Sequence, residues 1–413
     1  MLRSRSQRVK QGDLSSDEET SARAIALRQG LRVWAEVDLD RIEANVRALK
    51  ERAGEAKVLA VVKANAYGHG AAPTARAAIA GGAWGLGVIS LEEGEELRRA
   101  GVDAPVLVLG SSHPVQAERL VRADLRVTVG SLTLGQALAQ AAQALGKQAV
   151  VHVKVETGLN RFGVEPDEAV ALAEALRELP GVVVEGVSTH LASVDEGDKT
   201  FTYEQYKAFR QCGDRLPWVP LHHISSSGAL LDLPELRLAL VRCGISVYGY
   251  YPSDEVSRSV ALRPALELRS RVARLATLQP GESVGYGRTW VARRPSRIAL
   301  VLAGYGDGVR RVLSNRGVAL VRGRRAPFAG RVAMDMLMLD VTDVLEAAVD
   351  DEVTLIGEQG GDSIDADEVA RLSDTISYEV VTGIMARVPR LFLRGGHVIA
   401  YQDLAGYREA SSP

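Results

Sequence analysis

Cysteine is nearly missing from this chain: 413 residues hold two, Cys212 and Cys243. Two thiols cannot build a disulfide framework, and with no secretory leader they point to a reducing, cytoplasmic compartment. An excess of one charge is missing too. Lys plus Arg is 50 and Asp plus Glu is 52, a net charge of −2, which removes any global electrostatic reason to expect a nucleic-acid or anionic-membrane partner. No long apolar run is present. The longest uncharged stretch, 127–146, is interrupted by Ser131, Thr133, Gln136, Gln140 and Gln143, groups that are expensive in hydrocarbon, so it reads as a soluble strand followed by a helix. Residues 1–20 have a basic start, then Asp13, Asp17, Glu18 and Glu19, and no apolar core of a targeting segment. Low-complexity tracts are absent. A metal pattern is absent as well: among 7 histidines, His69 and the pair His222-His223 lack companion ligands at useful spacing and read as solvated, capping or supporting groups.

What is present is a rhythm. With 46% hydrophobic and 25% charged residues the chain is ordinary globular material, long enough at about 150 residues per domain for two to three domain equivalents. Runs rich in Val, Ile and Leu recur near 57–62, 84–89, 105–109, 125–129, 149–155, 182–187, 221–224 and 238–241. Each is followed by helical spacing, as in 91–100 and 167–179. Eight βα units in about 200 residues predict an α/β fold with an N-terminal (β/α)₈ TIM-like barrel. After Pro264 the period becomes two, as in Leu266-Glu267-Leu268-Arg269-Ser270-Arg271-Val272, which predicts a mostly β C-terminal domain with one helix near 365–372. The expected boundaries are an extended or disordered arm over 1–32, a strand over 33–43 able to join the C-terminal domain, the barrel over 44–262 and the β-rich domain over 263–413.

Barrels build function at the C-terminal ends of their strands. There the chain places Lys63, then Lys154 and Arg161, then His190, then His223 with Ser225-Ser226-Ser227-Gly228, and finally Arg242-Cys243-Gly244. A lysine closing a buried strand must be solvated, paired or chemically used. The bland alternative is a structural lysine with a carboxylate partner, and position alone gives even odds. A lysine that sheds its proton can form a Schiff base with an aldehyde. The serine-rich turn and the Gly244 turn lie where barrels commonly hold a phosphate. Together, an aldehyde-binding lysine and a phosphate cradle suggest pyridoxal 5′-phosphate (PLP).

Val61-Val62-Lys63-Ala64-Asn65-Ala66-Tyr67-Gly68-His69-Gly70 resembles the signature of the alanine racemases, PLP-dependent fold type III amino-acid racemases. The likeness continues through Lys154 to Gly163, Ser188-Thr189-His190, Arg242 to Gly249, Gly285-Tyr286-Gly287, Gly304 to Gly308, Gly330 to Asp335, Tyr378-Glu379-Val380 and Arg387 to Arg390. It runs from about Trp34 to Ile399, in the family's order.

The resemblance implies a role for each of these residues. Lys63 is the Schiff-base lysine and one of two catalytic bases, Tyr286 from a partner subunit the other. Tyr67, Ser227, Gly244, Ile245 and Tyr378 hold the phosphate. Arg242 faces the pyridine nitrogen, where a permanent cation disfavours protonation. A free phenol titrates near 10, so Tyr286 needs a neighbour to stabilise its phenolate, and His190 and Arg242 are the implied suppliers. Arg161 meets the cofactor phenol and the substrate carboxylate. Lys154 falls where the family often carries a carbamylated lysine, and Tyr305, Met334 and Asp335 line the substrate side across a homodimer interface. The implied activity is L-alanine/D-alanine interconversion on a small amino-acid substrate. A serine or broader small amino-acid racemase is the near alternative, since one hydroxyl is hard to exclude. A barrel-type decarboxylase and a non-catalytic PLP carrier are weaker rivals, disfavoured by Tyr286. Ser226 and Cys243 depart from the family's commoner Asn and Pro, which bears on cofactor affinity and substrate range.

Overall fold

The computed structural model describes residues 22–410. Residues 1–21, most of the predicted arm, lie outside the described residues. Two compact units emerge: Leu39–Leu266 together with Asp365–Met385, and a second made of the described residues up to Asp38, Glu267–Ile364 and the chain from Ala386.

The first unit is the eight-stranded parallel barrel that the apolar runs predict. Its strands are β2 (Lys57–Val61), β3 (Gly85–Val88), β4 (Val106–Val108), β5 (Arg126–Val129), β6 (Ala149–Lys154), β7 (Val182–Ser188), β8 (Leu221–His223) and β9 (Leu240–Cys243), in the order β8-β7-β6-β5-β4-β3-β2-β9; β1 (Val33–Asp38) belongs to the other unit. The β8–β9 seam is closed by two backbone bonds, Ala239 N–H to the His222 carbonyl (3.2 Å) and Arg242 N–H to that of Ser225 (3.0 Å). β3, β4 and β9 are buried along their whole length, as strands covered on both faces must be, and Val and Leu suit that environment. Two of the intervening helices start on a serine cap. Ser90 caps Leu91–Arg99 through the Glu93 N–H and Ser131 caps Leu132–Leu145 through the Leu134 N–H.

Two late helices, Ala366–Leu372 and Ser377–Thr382, group with the barrel. The second is invisible to periodicity because six residues are too short to show a repeat. Its docking is intimate: a Cβ on Gly68 would lie 2.1 Å from the Val381 carbonyl oxygen, so the lysine-bearing turn must carry glycine there.

The second unit is β-rich. The thirteen-residue strand β10 (Leu266–Leu278) alternates buried and partly exposed side chains over its first half, and β1 pairs in parallel with Arg390–Arg394. Around them runs an eleven-stranded, mostly antiparallel sheet. Buried charge is neutralised locally. Arg269 pairs with Glu36, Glu267 and Glu352, and the fully buried Asp307 pairs with Arg32 and Arg387. Among the described residues no helix is long and apolar enough to cross a membrane.

Candidate active site

The barrel unit contains a cavity of about 750 Å³ at the C-terminal ends of its strands, within the size range of small-molecule sites. Ten residues singled out by the sequence line it: Lys63, Tyr67, Lys154, Arg161, His190, Ser227, Arg242, Gly244, Ile245 and Tyr378. Tyr286, Tyr305, Met334 and Asp335 belong to the β-rich unit.

Lys63 follows β2 after a single residue, Val62. The backbone then does something rare, because Ala64, Asn65, Ala66 and Tyr67 all have φ between 50° and 53°, a left-handed turn that costs each L-residue roughly 1–2 kcal/mol. Neighbours hold it. The Ala64 N–H donates to Glu93 Oε1 (2.8 Å), the Ile89 N–H to Glu93 Oε2 (2.8 Å) and the Ala71 N–H to Asn65 Oδ1 (2.8 Å). Backbone bonds from Gly68 to Ala64 and from Gly70 to Asn65 complete the clasp. Strain of this kind persists only where the surroundings over-determine it, and its result is to put Lys63 and Tyr67 side by side on the cavity wall.

Among the described residues no carboxylate approaches Lys63 or Lys154 within 4.0 Å. Burial depresses the Lys63 ammonium, the Arg161 charge adds to that, and Glu93 opposes it. Lys154 is pushed well below the usual lysine range by burial, then by Arg242 and Arg161. Both amines are therefore biased toward their nucleophilic, uncharged form.

Arg242, fully buried at the end of β9, is held from every side. Its Nη1 donates to His223 Nδ1 (2.9 Å) and the His223 carbonyl (3.0 Å); its Nη2 donates to the carbonyls of Thr189 (2.8 Å) and Ile224 (3.1 Å) and to His190 Nδ1 (3.1 Å). The Nε–H is the donor left without a partner among the described residues. Burial lowers the guanidinium to about 10. His190 is held well below the usual imidazole range by burial and by Arg242, Lys154, Arg161 and Lys63, so it is a neutral ring.

The opposite part of the cavity collects hydroxyls. The Gly244 N–H donates to Ser227 Oγ at 3.0 Å, and a Cβ on Gly244 would lie 2.8 Å from the Tyr67 hydroxyl. Tyr67 stacks on Tyr248 at 4.8 Å and leans on Tyr378 at 6.1 Å. Burial raises the Tyr67 phenol to about 12 and lifts Tyr378 further, so both are neutral donors. Asp195, which the sequence reading missed, joins this end with Oδ1 buried and unpartnered. Of the two departures, Ser226 lines the cavity, whereas Cys243 is fully buried and does not. Burial raises its thiol to about 12, so it is a neutral group set away from the cavity wall.

The residues fit PLP. A lysine biased toward its uncharged form meets the need of an aldehyde, three hydroxyls with the Gly244-Ile245 backbone suit a phosphate, and a spare guanidinium N–H suits a ring nitrogen. Among the described residues no group of three His, Cys, Asp or Glu could hold a metal ion.

A closed barrel with this donor set, followed by a β-rich unit, marks a PLP-binding class of enzyme. Comparison with known proteins then narrows the class. Residues 37–252 match the model of the alanine racemase N-terminal domain and residues 265–392 that of the alanine racemase C-terminal domain. Alanine racemases of Symbiobacterium thermophilum and Halothermothrix orenii are 47% and 44% identical, covering 87% and 86% of this chain and 96% of each relative. The solved alanine racemase of Clostridium difficile 630 superposes with a TM-score of 0.86 at 34% identity, covering 90% of this chain and 98% of that one. That of Bacillus anthracis with bound L-Ala-P gives 0.84 at 36%, covering 91% and 98%. The chain belongs to the alanine racemase family.

Proposed function

We infer that the chain is a PLP-dependent alanine racemase that interconverts L- and D-alanine in the cytoplasm, working as a homodimer by two bases, Lys63 and Tyr286. The observation that carries this reading is the cavity itself: two lysines of depressed basicity, one guanidinium locked beside two neutral imidazoles, and a cluster of three hydroxyls beside the Gly244-Ile245 backbone.

Bound in the cavity, PLP would supply an electron-withdrawing group that acidifies the Cα–H bond of an attached amino acid. Tyr67, Ser227, Tyr378 and the Gly244-Ile245 backbone would hold its phosphate, and Arg242 Nε its ring nitrogen. A permanent cation at that position would disfavour protonation of the ring nitrogen and so favour racemisation over transamination. Arg161 orients the substrate carboxylate through its fork of donors. Lys63 and Tyr286 exchange protons with Cα from opposite faces, Lys63 serving the D-enantiomer and Tyr286 the L-enantiomer. Within one chain Tyr286 is 73% exposed, which suits a group that completes the site of a second subunit. Tyr305 and the Met334-Asp335 segment join it, and the buried Asp307 steadies them. Arg387 donates to Asp307 (2.8 Å), to Asp335 (2.7 Å) and to the Met334 carbonyl (3.3 Å). Lys154, uncharged and without a carboxylate partner, is suited to carbamylation, and the resulting anion would brace Arg161. Carbon-13-labelled carbon dioxide should then give a carbamate signal that His or Ala at position 154 abolishes.

Reconstitution with PLP followed by a panel of small L-amino acids tests the reading. Alanine should be converted fastest, ahead of serine, without release of carbon dioxide. Decarboxylation, or cofactor uptake with no racemisation of any small amino acid, would overturn it.

A further inference from the structure

Beneath Arg242 a chain of buried polar side chains crosses the barrel interior without reaching the cavity. His223 Nε2 lies 2.8 Å from His152 Nδ1, and His152 Nε2 lies 3.0 Å from Glu185 Oε2. Glu185 in turn accepts from Arg126 Nε (2.7 Å) and Nη2 (3.2 Å). The two imidazoles are completely buried, His152 at 0% exposed and His223 at 1%. Val or Leu would fill such positions at less cost.

The backbone is shaped around this chain. Val151 of β6 pairs with Val184 and His152 with Gly186, so Glu185 is the extra residue of a bulge in β7, a device that re-aims a side chain. The next residue leaves room for the ring, since a Cβ on Gly186 would lie 2.2 Å from His152 Nδ1.

Hydrogen-bond chemistry then dictates where every proton sits. A guanidinium can only donate, so His223 Nδ1 accepts from Arg242 and its proton is on Nε2. That N–H donates to His152 Nδ1, which leaves the His152 proton on Nε2, where it meets a carboxylate that can only accept. Glu185 is suited to this end: burial alone would raise it, but the bonds from His152 and Arg126 hold it at about 2. Reversing either ring would set two donors or two acceptors face to face.

We propose that His152 and Glu185 are positioning residues that lock the Arg242 guanidinium through His223 by fixing the tautomers of both imidazoles. The consequence for rate rests on the reading of Arg242 as the partner of the cofactor ring; the proton positions do not. Neutron diffraction from crystals of the holoenzyme reads them directly. Protons on Nε2 and bare Nδ1 atoms are expected at both rings, and a proton on Nδ1 of either would overturn the proposal.

Two variants of nearly equal size separate positioning from packing. His152→Asn keeps an acceptor where Nδ1 stood, and His152→Leu removes it. The Leu variant should lose about tenfold more kcat than the Asn variant, with KM for alanine unchanged and the absorption band of the bound cofactor shifted in the Leu variant alone. Equal kcat and unshifted bands in both would overturn the proposal. A wild-type protein that takes up no PLP would instead refute the cofactor reading, while its proton positions would still decide the tautomers.

Discussion

The two units hold their candidate functional residues in opposite ways. In the barrel, Lys63, Lys154, His190 and Arg242 converge on one cavity, and burial among neighbouring cations biases the lysines and the histidine toward their uncharged forms. In the β-rich unit, Tyr286, Tyr305 and Met334 are 73%, 40% and 53% exposed, the last two on segments anchored by Asp307 and Arg387. One unit has a site whose chemistry is set by desolvation. The other presents groups with no enclosed environment of their own, as residues that complete another subunit's site would. The difference teaches that half of the proposed catalytic pair should depend on the barrel's interior and half on assembly.

Substitutions should break these halves separately. The largest effect falls on the barrel side: Lys63→Ala should lower kcat for alanine by about four orders of magnitude and abolish the lysine-bound cofactor's absorption band. Retention of more than a tenth of the rate would remove Lys63 from the mechanism. Tyr286→Phe should slow L-to-D conversion by about 10²–10³ while PLP uptake is unchanged. If uptake falls with the rate, Tyr286 acts on the fold of the site rather than on the proton. Asp307→Ala removes the buried carboxylate that Arg32 and Arg387 share, leaving Arg387 only Asp335 and the Met334 carbonyl and Arg32 only the Leu302 carbonyl, and should cost about 3 kcal/mol of stability by chemical denaturation, with the band of the bound cofactor intact. Loss of that band would show that the two halves do not separate as described. The smallest effect is a pH dependence. Because Glu185 sits at about 2 when folded, against an ordinary 4.5, its contribution is complete above pH 4.5 and is lost as pH falls toward 2. Discounted for the fifth of its side chain that meets water, it amounts to about 2 kcal/mol. Glu185→Gln should flatten the acid limb of the stability curve; an unchanged limb would place the titration elsewhere.

Much of the barrel was legible because its strands are buried on both faces and read as Val- and Leu-rich runs, each followed by a stretch of helical spacing. Lys63, Lys154, His190 and Arg242 stood out because a charged or polar residue at the end of an apolar run contradicts its surroundings. What stayed hidden depends on contacts between distant segments. The helix Ser377–Thr382 is too short for a period, and its place against Gly68 is set by packing. The left-handed turn after Lys63 lies in a stretch with no glycine before Gly68. The bulge that presents Glu185 to His152 is a register event between two strands, and a single strand carries no trace of it beyond the Glu-Gly pair. Cys243 is the opposite case: it lies beside Gly244 in sequence, but strand alternation, which aims Arg242 at the cavity, turns the Cys243 side chain to the other, buried face of β9.

The central claim is that two bases act on opposite faces of Cα. It is tested most directly by incubating the PLP-loaded protein with ordinary L-alanine in D₂O and stopping the reaction at low conversion. The account predicts that D-alanine carries solvent deuterium at Cα while the unreacted L-alanine remains protiated. D-alanine that has kept the substrate's own hydrogen would mean that a single base carries the proton across, and would contradict the account.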